Sequence, residues 1–503
     1  MAASETLEGQ PLSMRWAEKI RRQGGAWDPS ADPLSLQGAS SLPMPVEISD
    51  KASLAPFFEF LSNDGKVHTW LGGLRGTEPA HSVPTLEFKK GVAYEDGRID
   101  LCKMATGPRN IGELMQALDS YKDGKHFLLG NNIIGPTGAK TIAAFIDRHP
   151  TQFETWYLAG NCIDMYSIDV LIDAMIRSPV ITNVWLKRND LRGQSYRSLA
   201  KLIMRSPYLR TLDLDQTSLS DGGVGMLFRE LNLYHERYDW SAALRHIYLN
   251  ATGAGQFACT HIAKYLKHSR LESLHLSCNP IGKHIPLLAA GIRASTTLTT
   301  LTLQSCGLGG DDTATLLDAV KDHPSLRALD LGQSYATEDL RMSYNWLDGD
   351  KFETALLDLV TANGPSQLRY LNLGYTPMTC SALNKIYPAV IANKNLVYFK
   401  AAPLVKGGRT KPEIQAGLRS KELLKDVRER LRQIVAEQYN GMSHEEFEEG
   451  PKRFLLSPPD VRYIDSVYRN RDSALAKRGL KILDKWWAED DGTLQNVHSG
   501  IID

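Results

Sequence analysis

The sequence lacks a long apolar run and has no net charge. A membrane helix needs about 18 consecutive apolar residues, whereas the longest apolar runs here are short segments such as 286–290. We therefore expect no membrane insertion. The 58 Lys and Arg residues balance 58 Asp and Glu residues, which removes the broad attraction on which non-specific nucleic-acid binders depend. A nucleic-acid partner is therefore not expected.

Cysteine pairs and a secretory signal are also missing. The six cysteines form no CxxC pair and no disulfide-framework spacing, which suits a reducing compartment. The N-terminal residues show no basic region leading into an apolar core and a small-residue cleavage site. These features predict a cytoplasmic protein, with non-classical export as an effector left open as the alternative.

Motifs that carry enzyme chemistry are absent as well. The sequence contains no phosphate loop, nucleophile elbow or metalloprotease signature. We accordingly predict a protein that is not an enzyme, with no catalytic residue, no cofactor and no bound metal.

One pattern does recur through the middle of the chain: apolar, any, apolar, any two, a small hydrogen-bonding residue, any, apolar. Most copies follow at intervals of 27 to 29 residues, and two longer intervals contain insertions near 233–241 and 336–349. The alternating apolar residues predict short strands, and apolar residues at spacing three and four predict a helix after each strand. The small hydrogen-bonding residues are expected to form a ladder that pairs backbone groups of the turns. They are Asn132, Asn161, Asn189, Thr217, Thr252, Asn279, Cys306, Ser334 and Thr376.

The repeats resemble a known family. The segments Leu128-Leu129-Gly130-Asn131-Asn132-Ile133-Ile134-Gly135 and Leu274-His275-Leu276-Ser277-Cys278-Asn279-Pro280-Ile281-Gly282 are similar to ribonuclease-inhibitor-like leucine-rich repeats. The resemblance implies an α/β solenoid shaped as a horseshoe, with parallel strands on the concave face and helices on the convex face. It indicates the fold far better than the function, because this architecture serves many roles.

Composition outside the repeats suggests four segments. Residues 1–50 read as a flexible arm, 51–104 as an N-terminal cap, 105–404 as the solenoid and 405–503 as a helical C-terminal cap or a recruitment module. Within the last segment we expect one or two helices over 412–439, a helix starting at 457–460, and a final helix around 480–487.

The concave face is the predicted binding surface. The residue between the two core positions of each strand faces this side, as do the residues flanking them, and large aromatic rings occupy several of these positions. Exposed Trp and Tyr side chains dominate binding energy at protein interfaces. Coverage of these rings by a terminal domain or by the 233–241 insertion is the alternative. The predicted partner-binding residues are Thr155, Tyr157, Asn183, Trp185, Lys187, Thr211, Asp213, Asp215, His246, Tyr248, Asn250 and His275.

Three hypotheses of function follow. The first is a scaffold that binds a protein partner through the concave face, as an inhibitor, adaptor or effector. The second is a Ran-type GTPase activator, although residues 405–503 lack the acidic tail typical of that class. The third is a metal-dependent enzyme that uses Asp213, Asp215, His246 and His275, which lie on three adjacent predicted strands.

Overall fold

The computed structural model describes residues 48–66, 74–78, 83–334, 345–361, 364, 366–376, 378–403 and 410–470. Most of the expected arm, most of the 336–349 insertion and the expected final helix lie outside these residues. Within them, strands and helices alternate from the fourth strand to the last, and fourteen strands form one sheet in sequence order. The fold is therefore the predicted α/β leucine-rich repeat solenoid.

The sheet changes from antiparallel to parallel pairing at its fourth strand. The first four strands pair antiparallel, and each later strand pairs parallel with its predecessor. Parallel neighbours need a crossover connection, which the helices of the repeats supply. The strands are β1 (Leu74–Glu78), β2 (Val83–Glu87), β3 (Val92–Tyr94), β4 (Arg98–Asp100), β5 (His126–Leu128), β6 (Thr155–Tyr157), β7 (Asn183–Trp185), β8 (Thr211–Asp213), β9 (His246–Tyr248), β10 (Ser273–His275), β11 (Thr300–Thr302), β12 (Ala328–Asp330), β13 (Tyr370–Asn372) and β14 (Tyr398–Lys400).

The helices bury one apolar face against the sheet. In the helix Gly135–Arg148, the buried residues Ile142, Phe145 and Ile146 follow the predicted spacing of three and four. The helices are α1 (Lys51–Ser62), α2 (Gly107–Leu118), α3 (Gly135–Arg148), α4 (Ser167–Met175), α5 (Tyr196–Arg205), α6 (Ser220–Tyr238), α7 (Gln256–Leu266), α8 (Ile285–Ala294), α9 (Gly310–Val320), α10 (Asp350–Val360), α11 (Cys380–Ala392), α12 (Lys411–Gln438), α13 (His444–Glu449) and α14 (Val467–Asn470).

A ladder of buried side chains runs along the turns after the strands. The Asn189 amide group donates to the carbonyl of Leu158 in the preceding repeat at 2.9 Å and to that of Leu186 in its own repeat at 2.8 Å. Its side-chain oxygen accepts from the backbone N–H groups of Asn161 and Ile163, each at 3.0 Å. Each Asn of this kind pairs backbone groups in two repeats, which fixes the spacing between them.

Smaller side chains hold the same position less completely. The hydroxyls of Thr217 and Thr376 each donate at 2.7 Å to the carbonyl three residues earlier, and the Thr252 hydroxyl does so at 2.9 Å. The Cys306 thiol lies 3.3 Å from the Leu276 carbonyl oxygen, and burial raises its pKa well above the usual range. The pKa shift disfavours the reactive thiolate form.

Ser334 does not take the ladder position assigned to it. Asn345 occupies that place, because its amide donates to the carbonyls of Leu303 and Leu331 at 2.8 Å. Its side-chain oxygen accepts from the backbone N–H of Cys306 at 2.9 Å. The ladder residue of this repeat therefore lies within the expected insertion 336–349 rather than before it.

The first insertion and the helix expected near residue 457 differ in structure from what the sequence predicts. The insertion near 233–241 extends α6 to 19 residues, and Asp239 ends the helix with a positive φ of 48°. The helix expected to start at 457–460 is only a short 3-10 turn, Pro459–Arg462. The two prolines at 458 and 459 start that turn, and helical structure resumes only at α14 (Val467–Asn470).

Both ends of the repeat array are covered. At the first end, α1 packs Phe57 and Phe60 against Phe88, with ring centroids 5.3 and 5.2 Å apart. At the other end, the single helix α12 buries Leu423, Val427 and Leu431 next to α11. Exposed cross-sections of a solenoid need such covers. No helix in the described part of the chain combines the length and apolarity required to cross a membrane.

Candidate partner-binding site on the concave face

A row of stacked rings lies along the concave face. The Trp185 ring centroid is 6.1 Å from that of Tyr157 and 5.1 Å from that of Tyr248. The Tyr248 ring then stacks on the His275 imidazole, with centroids 4.2 Å apart and planes 2° apart. Because β6, β7, β9 and β10 each place one of these rings at the same register, the sequence-predicted aromatic residues do lie together.

Polar residues beside the rings form a connected network. Asp215 accepts from the Asn250 backbone N–H at 2.7 Å and from its amide at 3.0 Å, and Asp213 accepts from the Asp215 N–H at 2.8 Å. Burial, followed by the charge of Asp213, raises the pKa of Asp215 well above its usual range, which Lys187 partly opposes. The Lys187 ammonium lies 3.9 Å from the Asp213 carboxylate and 5.8 Å from the Tyr157 ring centroid.

Thr155, Asn183 and His246 bond across neighbouring strands, whereas the Thr211 hydroxyl has no hydrogen-bond partner among the described residues. The Thr155 hydroxyl is 3.4 Å from the Asn183 amide nitrogen, and Thr211 is buried in β8. His246 Nδ1 lies 3.0 Å from the Ser273 hydroxyl, and burial lowers the pKa of His246. These contacts tie neighbouring repeats together across the sheet.

The Asp and His residues do not converge as a metal site would require. His275 Nδ1 lies 3.1 Å from the Thr302 hydroxyl, and burial lowers the pKa of His275 to about 3. In the portion of the chain that the structure describes, no group of three or more His, Cys, Asp or Glu side chains could hold a metal ion. The metal-dependent alternative therefore gains no support from the geometry.

The expectation that the rings are exposed is wrong. Tyr157, Trp185, Tyr248 and His275 are 3%, 4%, 8% and 5% exposed. Sequence patterning placed them on the concave side correctly, but a residue facing that side need not reach solvent. The burial therefore favours the alternative interpretation, in which a terminal part of the chain covers these rings.

Residues 451–468, which we call the strap, cross the concave face from the last repeats to the first. Near the start, the Lys452 ammonium lies 4.5 Å from the ring centroid of Tyr398 in β14. Farther along, the Thr300 hydroxyl donates to the Leu455 carbonyl at 3.4 Å. These contacts place the C-terminal region over the strands rather than only at the end of the solenoid.

The strap continues over Tyr248 and then reaches the first repeat. The hydroxyls of Tyr248 and Ser457 lie 3.1 Å apart. The Tyr463 ring then stacks on His126 in β5, with centroids 4.4 Å apart and planes 2° apart. Ser457 and Tyr463 were missed because nothing in local periodicity links them to strands so distant in sequence. His126 could have been found, since it occupies the same strand position as Thr155.

The end of the strap joins the N-terminal strands. Arg98 donates to the Asp465 carbonyl at 2.7 Å and pairs with Asp96 at 2.8 Å, although its own side chain is fully buried. The Val467 N–H donates to the Tyr94 hydroxyl at 3.0 Å. Burial, then the charge of Asp100, raises the Tyr94 pKa, so this phenol remains neutral and able to donate to Asp100.

The fold and the side-chain ladder define a ribonuclease-inhibitor-like leucine-rich repeat protein. The chain is 23% identical over 270 residues to ribonuclease inhibitor of Sus scrofa, covering 47% of this chain and 57% of that relative. It is 32% identical over 156 residues to NACHT, LRR and PYD domains-containing protein 12 of Mus musculus, covering 30% of this chain and 14% of that one. The matches thus span less than two thirds of the relatives' lengths.

No family model matches the sequence. The structure of the Rad7 and Elc1 complex in yeast matches with a TM-score of 0.39 and 15% identity, over 59% of this chain and 67% of that one. A similarity at that level carries no functional argument.

Proposed function

We propose that this chain is a scaffold that binds a protein partner through the concave face of its solenoid, as an inhibitor, adaptor or effector rather than as an enzyme. The repeat relatives support a protein-interaction role in general terms. One observation supports the concave face as the binding surface: this face already holds a polypeptide, namely the strap of the same chain. A partner would use the same surface.

The chemistry of the face suits a polypeptide partner. Trp185, Tyr157 and Tyr248 offer rigid aromatic area, and such residues contribute about 2 kcal/mol or more when a partner buries them. Asn250 and Lys187 supply polar groups at the edge of the row. All twelve predicted residues remain the proposed contact set, with the condition that the strap moves away first.

Affinity capture on matched variants tests this proposal. Tagged full-length chain, Trp185→Ala and the control Tyr166→Ala, which alters an exposed ring outside the concave face, would be compared by quantitative mass spectrometry. Thermal unfolding and circular dichroism would establish that each variant is folded. We expect a protein captured by the wild type and the control to be lost from Trp185→Ala. Equal capture by all three would contradict concave-face binding.

A further inference from the structure

The two halves of the strap are held differently. In residues 451–460 the side chains are half-buried or exposed, whereas Val461, Ile464, Asp465, Ser466 and Tyr468 are buried. We call 451–460 the span and 461–468 the anchor. The boundary falls where the strap passes from the repeats toward the N-terminal strands.

The span rests on a few side-chain contacts. Arg453 pairs with Asp465 of the anchor at 3.3 Å, and Leu455 packs against the small apolar cluster around Phe447. The span touches the face through Lys452 on the Tyr398 ring, the Leu455 carbonyl on Thr300, and Ser457 on Tyr248. It forms no strand of the sheet, and its regular structure is limited to short 3-10 turns. Contacts of this kind are individually weak, because each competes with a similar contact to water.

The anchor, in contrast, belongs to the core. Val461, Ile464 and Tyr468 join the continuous hydrophobic cluster of the solenoid. The Tyr468 hydroxyl accepts from the Gly91 N–H at 3.1 Å, and within the anchor Arg462 pairs with the Asp465 carboxylate at 2.6 Å. Releasing the anchor would expose apolar surface and unpair buried charge, both of which are costly.

We infer that the span is a built-in ligand of the concave face, which lifts off while the anchor stays bound. This inference rests on the proposed function and specifies the partner of the same site. The partner that fits presents an extended polypeptide segment with a cation for Tyr398, a backbone carbonyl for Thr300 and a hydroxyl or amide for Tyr248. It runs across the strands, as the span does.

Tethering explains how weak contacts keep the face covered. A segment fixed at both ends has an effective concentration on the order of millimolar at its site. The span is fixed by the anchor on one side and, on the other, by α13, which ends at Glu449 before Gly450. A free peptide of the same sequence must therefore compete with the tethered span. Substitutions that weaken the contacts of the span should allow this peptide to bind the concave face.

Hydrogen exchange on the unmodified full chain provides the first test. Amides of the span should exchange at least tenfold faster than those of Ser466 to Tyr468, where the Val467 N–H is bonded to Tyr94. Exchange of span and anchor at one common rate would show that they open as a single unit and would overturn the inference.

A labelled synthetic peptide of residues 451–460 provides the second test. Its affinity would be measured for the full-length wild type, for Lys452→Ala/Ser457→Ala, and for the control Tyr208→Ala, which alters an exposed ring. We expect at least tenfold tighter binding to the double variant than to the other two. Equal affinity for all three would overturn the inference. Because this probe is defined, failure to capture any cellular partner would count against the proposed function and leave this result standing.

Discussion

The Tyr463 ring lies flat on the imidazole of His126, with centroids 4.4 Å apart and planes 2° apart. The two residues come from distant parts of the sequence, so their stacking fixes the course of the strap across the concave face. His126 also bonds to the Thr155 hydroxyl at 2.9 Å, which connects the strap contact to the next repeat.

Removing this ring should loosen the strap without breaking the solenoid. An aromatic pair contributes about 1 kcal/mol beyond its area burial, so Tyr463→Ala, which also loses the buried area of the ring, should lower the free energy of unfolding by at least that amount. Urea unfolding followed by circular dichroism measures it. Tyr208→Ala, which removes an exposed ring elsewhere, should change the free energy by less than about 0.5 kcal/mol. Equal effects of the two substitutions would show that the stack contributes nothing.

Acid should weaken the fold through His126. Burial lowers the pKa of His126 to about 4 from an ordinary 6.5, with Arg98 and Lys125 adding to the effect and Asp96 opposing it. The unfolded chain therefore binds this proton more readily than the folded one. The stabilising contribution is complete above about pH 6.5 and is lost as the pH falls toward about 4.

His126→Phe isolates this contribution, because it keeps a ring under Tyr463 and removes the titratable nitrogen. Unfolding free energies would be measured for wild type and variant between pH 7.5 and 4. The variant should lose less stability over this interval. Parallel pH profiles would mean that His126 does not titrate differently in the folded and unfolded states.

Replacing Asn345 should lower the free energy of unfolding far more than replacing Ser334. Asn345 is fully buried and bonds to backbone groups in two repeats, so Asn345→Ala leaves several buried groups unpaired and should cost about 2 to 3 kcal/mol. Ser334→Ala should cost less than about 1 kcal/mol, since the ladder position is not its own. Chemical denaturation of both variants checks the order, and the reverse order would restore the ladder assignment made from the sequence.

Arg98 should be the main polar support of the anchor. Breaking its buried pairing leaves charge without a partner, so Arg98→Met should lower the free energy of unfolding by about 3 kcal/mol. Amide exchange at residues 464–468 should increase in the same variant. Arg192→Met serves as the control, because the Arg192–Asp190 pair at 3.2 Å is exposed and should contribute about 0 to 1 kcal/mol. Unchanged amide exchange in Arg98→Met would show that Arg98 does not hold the anchor in place.

The repeats could be predicted because their signals are local. Alternating apolar residues such as Phe127 and Leu129 mark each strand, and Asn132 marks the turn that follows it within a few residues. The 28-residue period then places successive strands side by side. The same reasoning put Tyr157 and Trp185 on the concave side, as the structure has them. The segment boundaries at 50, 104 and 404 and the partner-binding role of the concave residues stay predictions.

The position of the strap over the concave face could not be predicted from local sequence patterns. Ser457 reaches Tyr248 across more than two hundred residues, and such a contact depends on tertiary packing rather than on periodicity. Pro458 and Pro459 suggested a helix start, but they only lead into a 3-10 turn. Asn345 was missed for a related reason, since an insertion moved it away from the regular interval.

The course of the strap is the central claim, and cross-linking tests it most directly. A photoreactive benzophenone side chain would replace Tyr463 in the full-length chain, with the same group at Tyr166 as a control, and linked peptides would be identified by mass spectrometry. We predict links from position 463 to the segment around His126 and none from position 166 to that segment. Links from position 463 only to neighbours within 440–470 would contradict a strap across the concave face.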